Sequence, residues 1–188
     1  VSIDRIRRVG NVMIDTLDQQ WPAVRALDLV AALAPLLEEG QSLPPLGAGF
    51  YLVTLHRPSN VDDPSVLRGI LAFLREEVAA QHPVLWPMHP RTVRRLQESG
   101  DWAQVSHDSR LVRMKPLPYR VMVRLEADAR AVITDSGGLQ EECCVLGTPC
   151  LVLRTTTERP VTLSECGGVC RLAGKSPASY RTVWRELL

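Results

Sequence analysis

One stretch constrains the fold of this chain more than any other: residues 131–160, AVITDSGGLQEECCVLGTPCLVLRTTTERP. A short apolar run at 131–133 meets polar Thr134, Asp135 and Ser136, and two glycines follow. Then come a helix-forming run ending at Gly147, a second apolar strand over 150–153, and a polar loop closing on Glu158, Arg159 and Pro160. Strand, glycine turn, helix, strand is a βαβ unit, whose crossover helix makes the two strands parallel. Gly137 and Gly138 fall where the chain leaves the strand and enters the helix. Without side chains there, a ligand can approach the backbone, and the first helical N–H groups have no intrahelical acceptor. Free N–H groups at the positive end of a helix favour an anion such as phosphate.

The fragment alone reads equally well as a plain turn with Ser136 as its N-cap. Its surroundings favour a site. Glu141 and Glu142 follow on the same helix, and Arg154, Glu158 and Arg159 come from the loop after the next strand. In an open parallel sheet such loops share one edge, where ligands bind, so an anion cradle, a carboxylate and a guanidinium should converge.

At 188 residues the chain suits one domain, and 45% hydrophobic with 23% charged residues is ordinary for a folded globular protein. A net charge of +1 gives no electrostatic footprint for nucleic acid, so no nucleic-acid partner is expected. No apolar run approaches the ~20 residues that span a bilayer, and no signal peptide is visible, so a cytoplasmic protein without a membrane partner is expected. The chain starts at Val1 without a methionine. The cysteines at 143, 144, 150, 166 and 170 fit no zinc spacing and read as reduced, mostly buried thiols, so no metal is expected.

Taken in order, an arginine-rich start over 1–10 could close a strand at its end, and helical periodicity follows over 11–17 and 21–37. Residues 1–45 thus form a helical entry segment before the loop QSLPPLGAG. FYLVTL, 50–55, is a buried strand running into His56 and Arg57, with a helix after Asp63 and Pro64. A lone histidine is more often a structural hydrogen-bonder, but His56 stands at the strand end where α/β ligands bind. The next unit repeats the plan: strand 83–88, then His89, Pro90 and Arg91, then helix 93–97. His89 and Arg91 alone read as a solvated helix start. A short strand over 111–114 leads through PLPY to helix 120–127, and Tyr119 either stacks on a base or only packs at a rim. A short helix over 161–166, a last strand over 168–172 and a helix over 178–188 complete the pattern. Five or six parallel strands alternating with helices predict an α/β, Rossmann-like parallel sheet with flanking helices. The absence of G-x-G-x-x-G argues against a nicotinamide cofactor, and no cofactor is expected.

Together LVTLHRPSNVDDP, the PMHPRT loop, PLPY and TDSGGLQEECCVLGTPCLVLRTTTERP resemble the non-hydrolysing UDP-N-acetylglucosamine 2-epimerases, with VGNVMIDTL similar to that family's entry into its second domain. The resemblance runs from about residue 9 to 172 and implies a GT-B type fold, two Rossmann-like domains with the nucleotide sugar between them. Residues 1–188 would be the C-terminal, UDP-binding domain, lacking the N-terminal domain and the final crossover helix. The implied reaction interconverts UDP-GlcNAc and UDP-ManNAc by eliminating UDP and adding it back after the face at C2 has changed.

The resemblance further implies that Ser136, Gly137 and Gly138 hold the pyrophosphate and that Glu142 accepts hydrogen bonds from the ribose. Arg159 and Arg154 would stand near phosphate and sugar, and His56 would protonate or hydrogen-bond the leaving group. His89 and Arg91 belong to a second loop close to the cleft, and the backbone around Tyr119 and Met122 would lie against uracil. A homodimer is implied for the full-length protein. Ser59 stands where the family commonly has glutamate, and the carboxylates that move the C2 proton would belong to the other domain, so this chain should bind UDP without epimerising it. Rival readings are a GT-B glycosyltransferase donor domain, a hydrolysing epimerase and a non-catalytic UDP-sugar-binding paralogue.

Overall fold

A computed structural model describes residues 2–7 and 9–188. A 3-10 turn, Ile3–Arg5, and two helices, α1 (Val12–Arg25) and α2 (Leu29–Leu33), precede the sheet. Six strands follow with their helices: β1 (Tyr51–Thr54), α3 (Pro58–Val61), α4 (Pro64–Phe73), β2 (Val84–Pro87), α5 (Pro90–Glu98), α6 (Trp102–Ser106), β3 (Leu111–Met114), α7 (Tyr119–Asp128), β4 (Ala131–Thr134), α8 (Gly137–Leu146), β5 (Cys150–Val152), β6 (Cys170–Leu172) and α9 (Pro177–Leu187). All pairings are parallel, in the order β3-β2-β1-β4-β5-β6. The strand order reverses between β1 and β4, so the loops after these two neighbours diverge and leave a crevice at their carboxyl ends.

The sheet is buried on both faces, as its uninterrupted apolar strands require. One face packs Leu67, Ile70, Phe73 and Leu74 of the α4 region, Leu96 of α5 and Tyr180 and Trp184 of α9 against Tyr51, Val53, Trp86 and Ile133. The other packs Leu29 and Leu33, Val121 and Leu125, and Cys143 of α8 against Leu52, Leu85, Val132 and Val152. Of the five thiols, Cys143, Cys150 and Cys170 are fully buried, and only Cys166 is exposed.

Several elements differ from the sequence expectation. Residues 9–10 close no strand. The first helix is continuous through Pro22 and breaks instead at Ala26, because Asp28 re-caps the chain by accepting from the Ala31 N–H at 3.1 Å. Helix α6 was not anticipated, being five residues without an apolar period. The expected helix over 161–166 is two 3-10 turns, Pro160–Thr162 and Ser164–Cys166. These turns bring the loop after β5 back against the strand that follows, so tightly that a Cβ at Gly168 would lie 2.0 Å from the Thr162 carbonyl oxygen.

Since that neighbour is backbone, the clash can be relieved only by moving the loop that carries Arg159. Gly168→Ala is therefore expected to cost about 2 kcal/mol or more in urea unfolding. Gly47→Ala, which meets nothing within 4 Å, should stay within about 0.5 kcal/mol of the parent. Equal stability of the two variants would contradict this packing.

Candidate functional site

At the crevice between β1 and β4 the chain places one fully buried carboxylate, Asp135. It accepts from the backbone N–H groups of His56 (3.2 Å) and Arg57 (2.9 Å) and from Asn60 Nδ2 (3.0 Å), and its Oδ1 lies 3.1 Å from His56 Nδ1. Arg57 Nε donates to the Asp135 carbonyl at 2.7 Å, and Asn60 Nδ2 reaches the Leu153 carbonyl at 2.9 Å. The loops after β1, β4 and β5 are thus joined at one point. Burial pushes the Asp135 carboxyl up, but the His56 hydrogen bond, the Arg57 amide, the His56 charge and Asn60 together hold it below its ordinary value.

Local hydrogen bonds orient both cleft histidines, His56 through this network and His89 through the start of α5. His56 directs Nδ1 at Asp135, so its Nε2 is the atom left for a ligand. His89 caps α5 by accepting the Arg91 N–H at Nδ1 (3.1 Å), which puts the proton of the neutral ring on Nε2. The two rings stand 5.7 Å apart and turn their Nε2 atoms to the same space. That space is a cleft of about 220 Å³ lined by His56, His89, Leu117, Met122, Ser136 and Leu139 among others. A larger concavity, about 590 Å³, lies between α1, α7 and α8 around Trp21 and Arg124 and holds none of the expected site residues.

Ser136 occupies the N-cap position of α8, but no side chain caps the helix. Its backbone N–H donates to Thr134 Oγ1 at 3.0 Å, which fixes the turn and leaves the hydroxyl unused there. Gly137 and Gly138 open the helix beside it. The approach to them is not bare: a Cβ on Gly138 would lie 3.0 Å from the Met13 methyl, and one on Gly137 would lie 2.6 Å from Glu158 Oε1. Glu158 pairs with Arg57 Nη2 (3.0 Å) and Arg154 Nη2 (2.6 Å).

The anticipated convergence of cradle, carboxylate and guanidinium is only partly realised. Arg154 stands at the helix start through Glu158. The Arg159 guanidinium instead lies 3.1 Å from Glu141 Oε1, an oxygen that also accepts from Asn11 Nδ2 at 2.8 Å, and its Nε makes no full hydrogen bond. Arg91 does not line the cleft either: its Nε donates to Asp62 at 2.9 Å and its Nη2 makes a second bond to the same carboxylate, which these contacts hold at about 2. Asp62, the residue that closes α3, thus holds the Arg91 guanidinium within the scaffold. Ser59 is exposed and takes no part in the network that Asn60 completes.

Glu142 faces inward from α8 toward α7. Burial raises its carboxyl, contact with the Tyr119 hydroxyl opposes that, and the charge of Glu141 adds to it. Burial and the charge of Glu142 in turn push Tyr119 up to about 12. Behind them lies Glu126, wholly buried, with neither carboxyl oxygen hydrogen-bonded. Burial first, and Glu142 second, raise its carboxyl well above the ordinary value.

Read from sequence, Asp135 and Asn60 have no role, and Arg57 and Glu158 are marked only by their places in the loops after two strands. The usable signal was positional: a carboxylate on the last step of a central strand, opposite an H-R-x-x-N loop after its neighbour.

An open, doubly wound α/β domain thus carries at its switch point an uncapped helix start, two oriented histidines and the guanidiniums of Arg57 and Arg154, features that suit an anion. A family model described as UDP-N-acetylglucosamine 2-epimerase matches residues 1–186, and the chain belongs to that family. It is 31% identical over 189 residues to the UDP-N-acetylglucosamine 2-epimerase of Methanococcus maripaludis, covering 100% of this chain and 49% of that protein. It is 39% identical over 119 residues to the UDP-2,3-diacetamido-2,3-dideoxy-D-glucuronate 2-epimerase of Pseudomonas aeruginosa, covering 63% of this chain and 32% of that protein. The Methanocaldococcus jannaschii UDP-GlcNAc 2-epimerase, solved with UDP-GlcNAc and UDP, superposes with a TM-score of 0.85 at 29% identity, over 100% of this chain and 49% of that one. The chain spans about half the length of these fuller relatives.

The buried Glu126 gives a test with a definite sign. Its folded-state value lies above its unfolded one, so its neutral form favours the fold. That contribution is complete below the ordinary carboxyl range and is lost as pH rises through the raised folded value. Glu126→Met, which fills the space without a charge or unpaired oxygens, is expected to raise stability by about 1–3 kcal/mol at pH 7, with a smaller gain at pH 4. A loss of stability at pH 7, or a gain that shrinks as pH rises, would contradict the burial of Glu126 without a partner.

Proposed function

We propose that this chain is the UDP-binding half of a UDP-N-acetylglucosamine 2-epimerase, an isomerase that interconverts UDP-GlcNAc and UDP-ManNAc. The observation that carries this reading is the uncapped start of α8 at the switch point, ringed by Arg57, Arg154 and His56. In this reading the diphosphate lies on the amides of Gly137 and Gly138 beside the Ser136 hydroxyl. Glu142, kept near the cleft by Tyr119, accepts from the ribose hydroxyls, and the backbone over 119–122 lies against uracil.

Elimination breaks the bond between the anomeric carbon and the UDP oxygen as the C2 proton is removed, giving a 2-acetamidoglucal and UDP. UDP leaves with the bonding electron pair, and charge grows on its β-phosphate. Arg154 and Arg57 offset that charge, and His56 hands a proton or hydrogen bond to the departing oxygen through Nε2. Asp135 holds the His56 ring from the other side, so that Nε2 faces the ligand. His89, as a neutral Nε2–H donor, orients an oxygen of the same ligand. Arg159 reaches the ligand after exchanging its partner Glu141 for phosphate or sugar oxygens, whereas Arg91 steadies the second loop through Asp62.

The group that takes the C2 proton is not among these residues, so the chain alone binds UDP and does not turn over UDP-GlcNAc. What the names of the two curated relatives share is a UDP sugar epimerised at C2, which fits a nucleotide site here and sugar recognition elsewhere. The reading also includes a homodimer for the full-length protein and a cytoplasmic setting, which five free thiols suit. No helix among the described residues is long and apolar enough to cross a membrane.

Calorimetry with UDP and UMP tests the diphosphate site. The β-phosphate adds charge-assisted hydrogen bonds, so UDP is expected to bind at least about tenfold more tightly than UMP. Equal affinities would contradict the cradle, and epimerisation of UDP-GlcNAc by this chain alone would contradict its role as half a site.

A further inference from the structure

Glu158 holds an unusual place. Its carboxylate rests against the first residue of α8, at the positive end of the helix, and bridges Arg57 and Arg154. Arg57 does not depend on Glu158 for its position: its Nε is fixed on the Asp135 carbonyl and its amide on the Asp135 carboxylate. Arg154 is held by burial of its side chain, and its buried Nη1 makes no hydrogen bond, so Glu158 is the guanidinium's one polar partner among the described residues. The neighbours of Glu158 are pinned as well: Thr157 Oγ1 donates to Gln140 Oε1 at 2.6 Å, and the Arg159 amide donates to Thr157 Oγ1 at 3.0 Å. The Glu158 side chain itself is 44% exposed, so it can swing into solvent by side-chain rotation while the loop stays in place.

We propose that Glu158 is the resident counter-anion of the diphosphate cradle: its carboxylate stands in for a phosphate, and a ligand binds by displacing it. This rests on the diphosphate reading above and adds a selectivity to it. An entering group must outcompete a carboxylate already held by two guanidiniums and a helix end, which disfavours monoanions and admits a diphosphate. Displacement leaves Arg57, Arg154 and the amides of α8 already facing the ligand, so little reorganisation is needed. The Glu158 backbone N–H, and then Arg154, hold the Glu158 carboxyl down at about 2, so it is a carboxylate at any working pH and the exchange moves no proton onto it.

The test compares the parent chain with Glu158→Gln, which keeps the shape and removes the charge, using UDP and inorganic pyrophosphate in calorimetry. Both ligands are expected to bind the variant about fivefold more tightly, the scale of a part-exposed ion pair. Unchanged or weaker binding of both overturns the proposal. If UDP binds both proteins alike, the nucleotide reading stands and the displacement falls. If UDP binds neither protein while pyrophosphate tightens, the displacement stands and the nucleotide reading falls. A pyrophosphate complex should show the Glu158 carboxylate away from Gly137, and a carboxylate still seated there overturns the proposal. Should the glutamine variant fail to fold, Glu158→Asp withdraws the carboxylate from Gly137, and pyrophosphate should again bind more tightly than to the parent.

Discussion

The Asp135 carboxylate is where three loops of the site become one object. Buried charge is costly unless every lone pair is used, and here the His56 and Arg57 amides, the His56 ring and Asn60 use them. Its carboxyl stays below the ordinary value despite burial, which means the donors outweigh the loss of water. Because β1 and β4 are register neighbours from Tyr51 with Ala131 through Thr54 with Thr134, the bond between their loops fixes His56 relative to the start of α8. Replacing Asp135 by an apolar residue would strand four donors at once, so the orientation of His56 and the path of its loop depend on it.

Around that point the charges are arranged as acids and arginines in mutual contact. Glu141 holds Arg159 and Asn11, Asp62 holds Arg91 and Arg95, and Glu158 holds Arg57 and Arg154. The Glu141 and Asp62 side chains are less exposed than that of Glu158, which also lies against the start of α8 on a pinned backbone. Displacement from the cradle is therefore assigned to Glu158. Between α7 and α8, Glu142, Tyr119 and Glu126 form a buried acidic cluster, in which burial raises both carboxyls. In the proposed reading that cluster suits neutral hydroxyls and disfavours phosphate.

Much of this was readable from the residues because local chemistry and topology agree. Buried parallel strands show as continuous apolar runs, and prolines at the first turns of α4, α5 and α9 mark helix starts whatever the tertiary context. The glycine pair after β4, the ring positions at 56 and 89 and the C-terminal stop at Gly147, with φ of 74°, followed in the same way. What sequence could not rank were competitions between partners. Arg91 and Arg159 have the right residue type beside the cleft, yet nearby acids claim their guanidiniums. Asp135 was visible as a polar step but not as the hub, since its donors come from 75 to 79 residues away along the chain. The two helical runs expected over 11–17 and 21–37 join into one helix through Pro22 and part at Ala26, where Asp28 caps the next helix.

The most direct measurement follows the amide signals of Gly137 and Gly138 by NMR as UDP is added. A diphosphate seated on the start of α8 moves both signals to lower field in step with binding, together with those of His56 and Arg57. Saturable UDP binding that leaves these four amides unmoved, and shifts residues around Trp21 and Arg124 instead, would contradict a nucleotide site at the switch point.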